Sequence, residues 1–180
     1  MLSDTPRAEA KNALRRIRKT GAKSLVILSG DKREKVEKLG RELEFDHSFS
    51  ELLPEDKFSK IEELMKDGKV VYVGDGINDA PTLARADVGV AMGGIGQDSA
   101  IEAADVIIST DDLDRIPTAI GIARKTVRIS TENIVFALGV KGAILVLGAL
   151  GFANMWLAVF ADVGVAALAI LNSMRTLRVK

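Results

Sequence analysis

Asp75, Asn78 and Asp79, with Gly74 and Gly76 among them, stand in the run Val71 to Pro81, VYVGDGINDAP, directly behind an apolar stretch. A carboxylate that follows a buried strand projects into the crevice at the carboxyl edge of a sheet, and flanking glycines let the backbone approach a ligand closely. Asn78 and Asp79 come one turn later, at the mouth of a helix that Pro81 helps to start. Clustered oxygens with little basic charge beside them suit a hard cation. One or two carboxylates, with water and phosphate completing an octahedron, is the usual Mg²⁺ arrangement. The expectation is a Mg²⁺ site on Asp75 and Asp79.

Two further segments point to an anion. Ser29-Gly30-Asp31 follows the apolar run ending at Leu28 and offers a hydroxyl and backbone N–H groups at a helix N-terminus, where phosphate binds readily. Lys57 falls in the first turn of a helix opened by Pro54, a place where the helix dipole favours acids. A solvated lysine fits that position, and so does one held there by an anionic partner. Met92-Gly93-Gly94-Ile95-Gly96-Gln97 lacks the G-x-G-x-x-G spacing of a dinucleotide loop and reads as a turn. His47, in the polar run Glu44 to Ser48, reads as a solvated surface residue, and the absence of cysteine rules out a thiolate metal site within this chain.

The elements that must position these groups alternate. Apolar runs at 24–28, 69–73, 86–92 and 105–108 read as buried strands. Helical patterns lie between them: one starting at Ser3-Asp4-Thr5 before Pro6 and ending at Gly21, one over about 31–42, one from Pro54 to the stop signal Gly68, and a short one over 98–104. Strands separated by helices predict an α/β fold with a parallel sheet covered on both faces.

The charge also divides. Residues 1–122 hold 18 Lys and Arg against 23 Asp and Glu, while residues 123–180 hold seven against two. The first segment is expected to be a cytoplasmic domain and the second a membrane hairpin. Residues 133–151 and 155–172 are apolar spans, each near the ~20 residues a bilayer requires. The alternative, two buried helices of a large soluble core, fits poorly with a turn of only three residues. Basic flanks at Arg124, Lys125, Arg128, Arg175, Arg178 and Lys180 place both outer ends in the cytoplasm, with Trp156 near the far interface. The N-terminal MLSDTPRAEAKNALRR lacks the apolar stretch of a signal peptide.

Lys141 and Asp162 are the ionisable residues inside the spans, where a charge costs about 2.5–3.5 kcal/mol. They lie about 12 Å and about 15 Å from the same face, at 1.5 Å per residue. Two readings follow. They form an ion pair that holds the hairpin together, or Asp162 ligates a transported metal while Lys141 competes for it as an internal counter-ion.

Ser29-Gly30-Asp31, Pro54-Glu55-Asp56-Lys57 and GDGINDAP at 74–81, in that order and followed by membrane spans, resemble the C-terminal part of a P-type cation-transporting ATPase. LSDTPR (2–7), ARADVGVAMGG (84–94), AIEAADVI (100–107), ALGVKGAILVLGALG (137–151) and MWLAVFADVGV (155–165) are similar to its heavy-metal branch, the zinc, cadmium and lead exporters. The resemblance covers essentially the whole chain. It implies a Rossmann-like haloacid-dehalogenase sheet followed by a two-helix transmembrane hairpin in the membrane of a prokaryote. It implies Mg²⁺ on Asp75, a phosphorylation site completed by Asn78 and Asp79, neutralisation of the transferred phosphoryl by Lys57, and oxygens cradled by Ser29, Gly30 and Asp31. Where the family commonly has threonine, this chain has Ser29, whose hydroxyl serves equally.

The family forms an aspartyl-phosphate in a D-K-T-G-T motif, and no such motif occurs in these 180 residues. The resemblance therefore implies that ATP is bound mainly by a missing domain and that this chain alone does not hydrolyse it. Its implied partners are a divalent heavy-metal ion, the bilayer and the remaining domains of the ATPase, with no nucleic acid. Two rivals stand beside this reading. A membrane-tethered phosphatase of the haloacid-dehalogenase type needs a nucleophilic aspartate near the N-terminus, where Asp4, outside any apolar strand, is the candidate. A non-enzymatic accessory membrane protein would need a partner chain.

Overall fold

A computed structural model describes residues 8–75, 79–93, 98–152 and 154–177. Asp4 with the expected helix start at Ser3 to Pro6, the site residue Asn78, the glycine turn at 94–97 and the basic pair Arg178 and Lys180 lie outside the described residues. The chain divides into two compact units, Met1–Pro117 and Thr118–Lys180.

The first unit alternates as expected: α1 (Ala8–Lys19), β1 (Val26–Leu28), α2 (Arg33–Glu42), β2 (His47–Phe49), α3 (Pro54–Asp67), β3 (Val71–Gly74), α4 (Ala80–Arg85), β4 (Val88–Met92), α5 (Asp98–Ala103) and β5 (Val106–Ile108). All pairings are parallel. The strands form two ladders, β1–β2 and β3–β4–β5, where one sheet was expected. One face of the larger ladder packs on two helices, through Tyr72 and Ala91 against Ile61 of α3 and Leu83 of α4, and Leu28 at the end of β1 joins that cluster. The other face is not fully covered: Val71 is 50% and Val73 36% exposed, against the expectation of a layer sealed on both sides.

Register is pinned by one repeated device. Asp46, Asp87 and Asp105 each stand one residue before a strand and accept an N–H from the start of its neighbour. The donors are Leu25 at 2.7 Å, Val70 at 3.0 Å and Gly89 at 2.8 Å. The Leu25 N–H holds the Asp46 carboxyl below the usual carboxylate range, assisted by Arg18. Lys69 and then the Val70 N–H do the same to Asp87.

β2 was not expected. His47 is exposed, as read, but it opens a strand whose Phe49 ring lies 4.2 Å beneath the Lys60 ammonium of α3. Close packing leaves Gly89 no room for a side chain, because a Cβ there would lie 2.5 Å from the Leu83 carbonyl oxygen.

In the second unit, α6 (Arg115–Ala149) is a single unbroken helix that begins just before the division, and α7 (Met155–Ser173) returns antiparallel to it, followed by a 3-10 turn (Met174–Leu177). At 1.5 Å per residue, α7 covers about 28 Å, close to a hydrocarbon core. Both helices are long and apolar enough to cross a membrane, with mean hydropathies of 1.6 and 1.9. The turn is well formed. Gly151, at φ 80°, lets Phe152 N–H reach the Leu147 carbonyl and Gly151 N–H reach that of Gly148, a Schellman closure. Asn154 then caps α7, its Oδ1 accepting from Leu157 N–H at 2.9 Å.

Candidate functional site

Lys57 reaches α3's first turn because Pro54 starts the helix and Asp56 accepts from the Leu53 N–H at 2.9 Å. Its ammonium lies 2.7 Å from Asp79 Oδ1, with the two side chains only 17% and 13% exposed. Residues 22 apart in sequence thus meet as a shielded ion pair, so Lys57 is drawn onto a carboxylate of its own chain.

Asp79 occupies the N-cap of α4, where an aspartate ordinarily accepts from the helix's own first N–H groups. Here its side chain makes no such bond and turns instead toward Lys57 and Tyr72. A helix start that forgoes its cap loses stability of about 1 kcal/mol. The carboxylate directs its hydrogen bonding to Lys57 rather than to the helix.

The strand supplies the floor. Tyr72 and Gly74 share one face of β3, and a Cβ on Gly74 would lie 3.1 Å from Tyr72 Cε1 and 3.2 Å from Asp79 Oδ2. A side chain on residue 74 would make Tyr72 or Asp79 give way by a few tenths of an ångström. Burial, then the charge of Asp79 and a hydrogen bond to it, then the charge of Asp75, push the Tyr72 phenol far above its ordinary value. Tyr72 escaped the sequence reading because one tyrosine in a buried strand reads as core; its signal is the two-residue step to Gly74 and the motif beyond.

Asp75 follows β3 as expected and is exposed at the strand's end. Ser29 Oγ accepts from the Asp31 N–H at 3.1 Å, while Ser29 N–H donates to the Phe49 carbonyl at 3.0 Å. This corrects the expectation of a helix N-terminus at Ser29 to Asp31. α2 begins at Arg33, two residues later than a helix-terminus site at Asp31 requires, and the Asp31 carboxylate pairs with Lys35 at 3.3 Å. The loop is tied to the lysine's helix. Leu52 N–H donates to the Ser29 carbonyl at 3.1 Å, and Gly30 packs on the Leu52 carbonyl.

The donors at the strand end are carboxylate oxygens, and no cluster of three or more His, Cys, Asp or Glu side chains occurs among the described residues. Those oxygens fit a Mg²⁺ ion held by one or two carboxylates and completed by water and phosphate, while the Lys57 ammonium on Asp79 corrects the expectation of little basic charge beside them.

In the second unit Lys141 Nζ lies 2.9 Å from Asp162 Oδ1. Equal depth, read from residue counts, is realised as a contact between antiparallel helices. The register is set one end away by a polar clasp that the sequence reading did not anticipate. Asn172 Nδ2 donates to Asn133 Oδ1 at 2.8 Å, and Asn133 Nδ2 to the Ser173 hydroxyl at 3.0 Å and the Ala169 carbonyl at 3.2 Å.

Two family models for haloacid dehalogenase-like hydrolases match residues 1–87 and 56–120. The cadmium, zinc and cobalt-transporting ATPase of Bacillus subtilis (strain 168) is 47% identical over 100% of this chain and 26% of its own length. The zinc-transporting ATPase of Synechocystis sp. is 47% identical over 97% of this chain and 25% of its own. The crystal structure of a zinc-transporting PIB-type ATPase in its E2.Pi state superposes with a TM-score of 0.90 at 38% identity, covering 97% of this chain and 28% of that one. The chain spans about a quarter of the length of the curated relatives it matches.

Proposed function

Since this chain is kin to the heavy-metal-transporting P-type ATPases over its entire length, about a quarter of theirs, we propose that it serves in an ATP-driven exporter of divalent heavy-metal cations. In that pump it supplies the Mg²⁺-phosphoryl site and a membrane ligand for the metal. The observation that carries this reading is the Lys57–Asp79 pair, 2.7 Å long and largely shielded, at the strand end that also carries Asp75.

Phosphoryl transfer asks a protein mainly for position and charge neutralisation. An aspartate oxygen from the remaining protein attacks the γ-phosphorus of ATP; the new O–P bond forms as the bond to the ADP oxygen breaks. An ammonium has three donors. Asp79 takes one, leaving two for the oxygens of the moving phosphoryl in a setting largely shielded from solvent. Asp79 in turn keeps the ammonium from swinging into solvent. The Ser29 hydroxyl and Gly30 N–H receive phosphoryl oxygens, and Asn78 completes the site. Asp75 and Asp79 would hold Mg²⁺, which would supply charge neutralisation at the phosphoryl oxygens.

The interrupted sheet supports the same reading. β1 and β3 end separate ladders although Leu28 and Tyr72 share one core cluster. A strand from the remaining three quarters of the pump, carrying the nucleophilic aspartate at its end, would complete the sheet between them.

In the membrane, Asp162 offers a carboxylate to the transported ion, and the softer ligands come from helices elsewhere in the pump. Lys141 competes with the metal for that carboxylate, weakening the grip when release is due. Positive flanks at Arg124, Lys125, Arg128 and Arg175 favour cytoplasmic outer ends for the hairpin. The test is Asp162→Ala in the complete pump in proteoliposomes. Metal-stimulated ATP hydrolysis and stoichiometric metal binding should be lost; wild-type binding would reduce Asp162 to a packing partner of Lys141.

A further inference from the structure

We infer that Tyr72 is a positioning residue for phosphoryl transfer, its hydroxyl gripping the Asp79 carboxylate so that Lys57 stays aimed at the phosphoryl. The inference deepens the function proposed above and rests on it.

The two oxygens of Asp79 have different neighbours. Oδ1 receives the Lys57 ammonium at 2.7 Å. Oδ2 lies toward the floor of the site, where the position of a Cβ on Gly74 is 3.2 Å from it and 3.1 Å from Tyr72 Cε1, the ring carbon next to the one that bears the hydroxyl. Tyr72 Cε1 and Asp79 Oδ2 thus close on the same point of the strand, which puts the phenol on the side of the carboxylate away from Lys57. The tyrosine itself cannot wander. It is 8% exposed, packed among Ile61, Leu83 and Ala91, on a strand paired through Tyr72 and Gly89.

A carboxylate held from one side only would be free to rotate about χ1 and χ2 and resume the ordinary role of an N-cap aspartate, taking Lys57 with it or releasing it. Held from two sides, it has one rotamer. The cap bonds it forgoes at the start of α4 are replaced on one side by the charge-assisted bond from Lys57, and the other side is assigned to the Tyr72 hydroxyl. Groups that orient a ligating or charge-bearing side chain in this way typically contribute 10–100-fold to metal affinity or activity.

The decisive variant is Tyr72→Phe, which keeps the ring in the core and deletes the donor. It is made in the complete pump carrying this segment, or in the Bacillus subtilis relative with these 180 residues replacing its matching quarter. Two quantities are read besides turnover: the Mg²⁺ concentration giving half-maximal binding of beryllium fluoride, a phosphoryl mimic, and the midpoint of thermal unfolding. A positioning role requires about a tenfold rise in that Mg²⁺ concentration and about a tenfold slower phosphorylation from ATP, with the unfolding midpoint little changed. Wild-type values for both, within twofold, would overturn the inference.

Asp75→Asn, run in parallel, separates the two levels of the account. If it abolishes phosphorylation while Tyr72→Phe is silent, the inference about Tyr72 alone falls. If Asp75→Asn itself phosphorylates normally, the functional reading falls and the inference with it. Should Tyr72→Phe fail to fold, a crystal structure of the wild-type pump with Mg²⁺ and beryllium fluoride decides. Tyr72 Oη within hydrogen-bonding distance of an Asp79 oxygen supports the inference, and a water or another side chain in that place overturns it.

Discussion

Gly74→Ala adds one methyl group at the tightest point of the site. Its carbon would lie 3.1 Å from Tyr72 Cε1, 3.2 Å from Asp79 Oδ2 and 3.3 Å from Asp79 Cβ. Favourable contacts begin at about 3.5 Å, so these atoms must retreat by a few tenths of an ångström. The backbone cannot yield easily, because Gly74 pairs with Ala91 in the ladder, and Tyr72 is fixed in the core. Asp79 is the member that moves, dragging the Lys57 ammonium with it. Overpacking of this kind costs about 1–3 kcal/mol of stability. Since a misplacement of about 1 Å can cost roughly a hundredfold in rate, a shift of about half that should cost about tenfold. The assay is the rate of phosphoenzyme formation from ATP in the complete pump, with thermal unfolding read beside it. Gly68→Ala is the control, because nothing lies within 4 Å of a Cβ there and its φ is extended. A Gly74→Ala pump that phosphorylates at the wild-type rate would refute the claim that the Asp79 position governs the chemistry.

Lys141→Ala should leave Asp162 without its ion-pair partner, so that the pump binds its metal more tightly, by about tenfold, and releases it more slowly; unchanged affinity and turnover, measured by metal titration and transport, would remove Lys141 from the release step. Asp46 and Asp87 are held below the usual carboxylate value of about 3.9, so their contribution to stability is present above that value and is lost as pH falls through the lower folded one. In micelles, the 180-residue chain should therefore lose stability below about pH 4, and Asp46→Ala with Asp87→Ala should be less stable at pH 7 yet show a flatter acid limb by circular dichroism. An acid limb as steep as that of the wild type would contradict the strand-clasp role.

The alternating elements and the hairpin were legible because they rest on long apolar runs, whose burial any parallel layer or bilayer demands. β2 was not. His47-Ser48-Phe49 is too short and too polar to show periodicity, and what makes it a strand is pairing with β1 together with the Asp46 clasp, both tertiary. The division of the strands into two ladders was equally hidden, since apolar content shows that a strand is covered but not what covers it. For the site, the residue types that bind a hard cation and an anion could be read one by one. That Lys57 and Asp79 grip each other could not, because 22 residues of chain had to fold first. Asp79 without its helix cap, and Tyr72 beneath it, are visible only as geometry.

The most direct test of the whole account is Asp75→Ala in the intact pump, followed by incorporation of label from γ-phosphate-labelled ATP in the presence of Mg²⁺ and transported metal. If the end of β3 grips Mg²⁺ beside the transferred phosphoryl, labelled phosphoenzyme falls to background while the protein remains folded. Labelling at the wild-type rate and level would contradict the assignment of this strand end as the phosphoryl-transfer site.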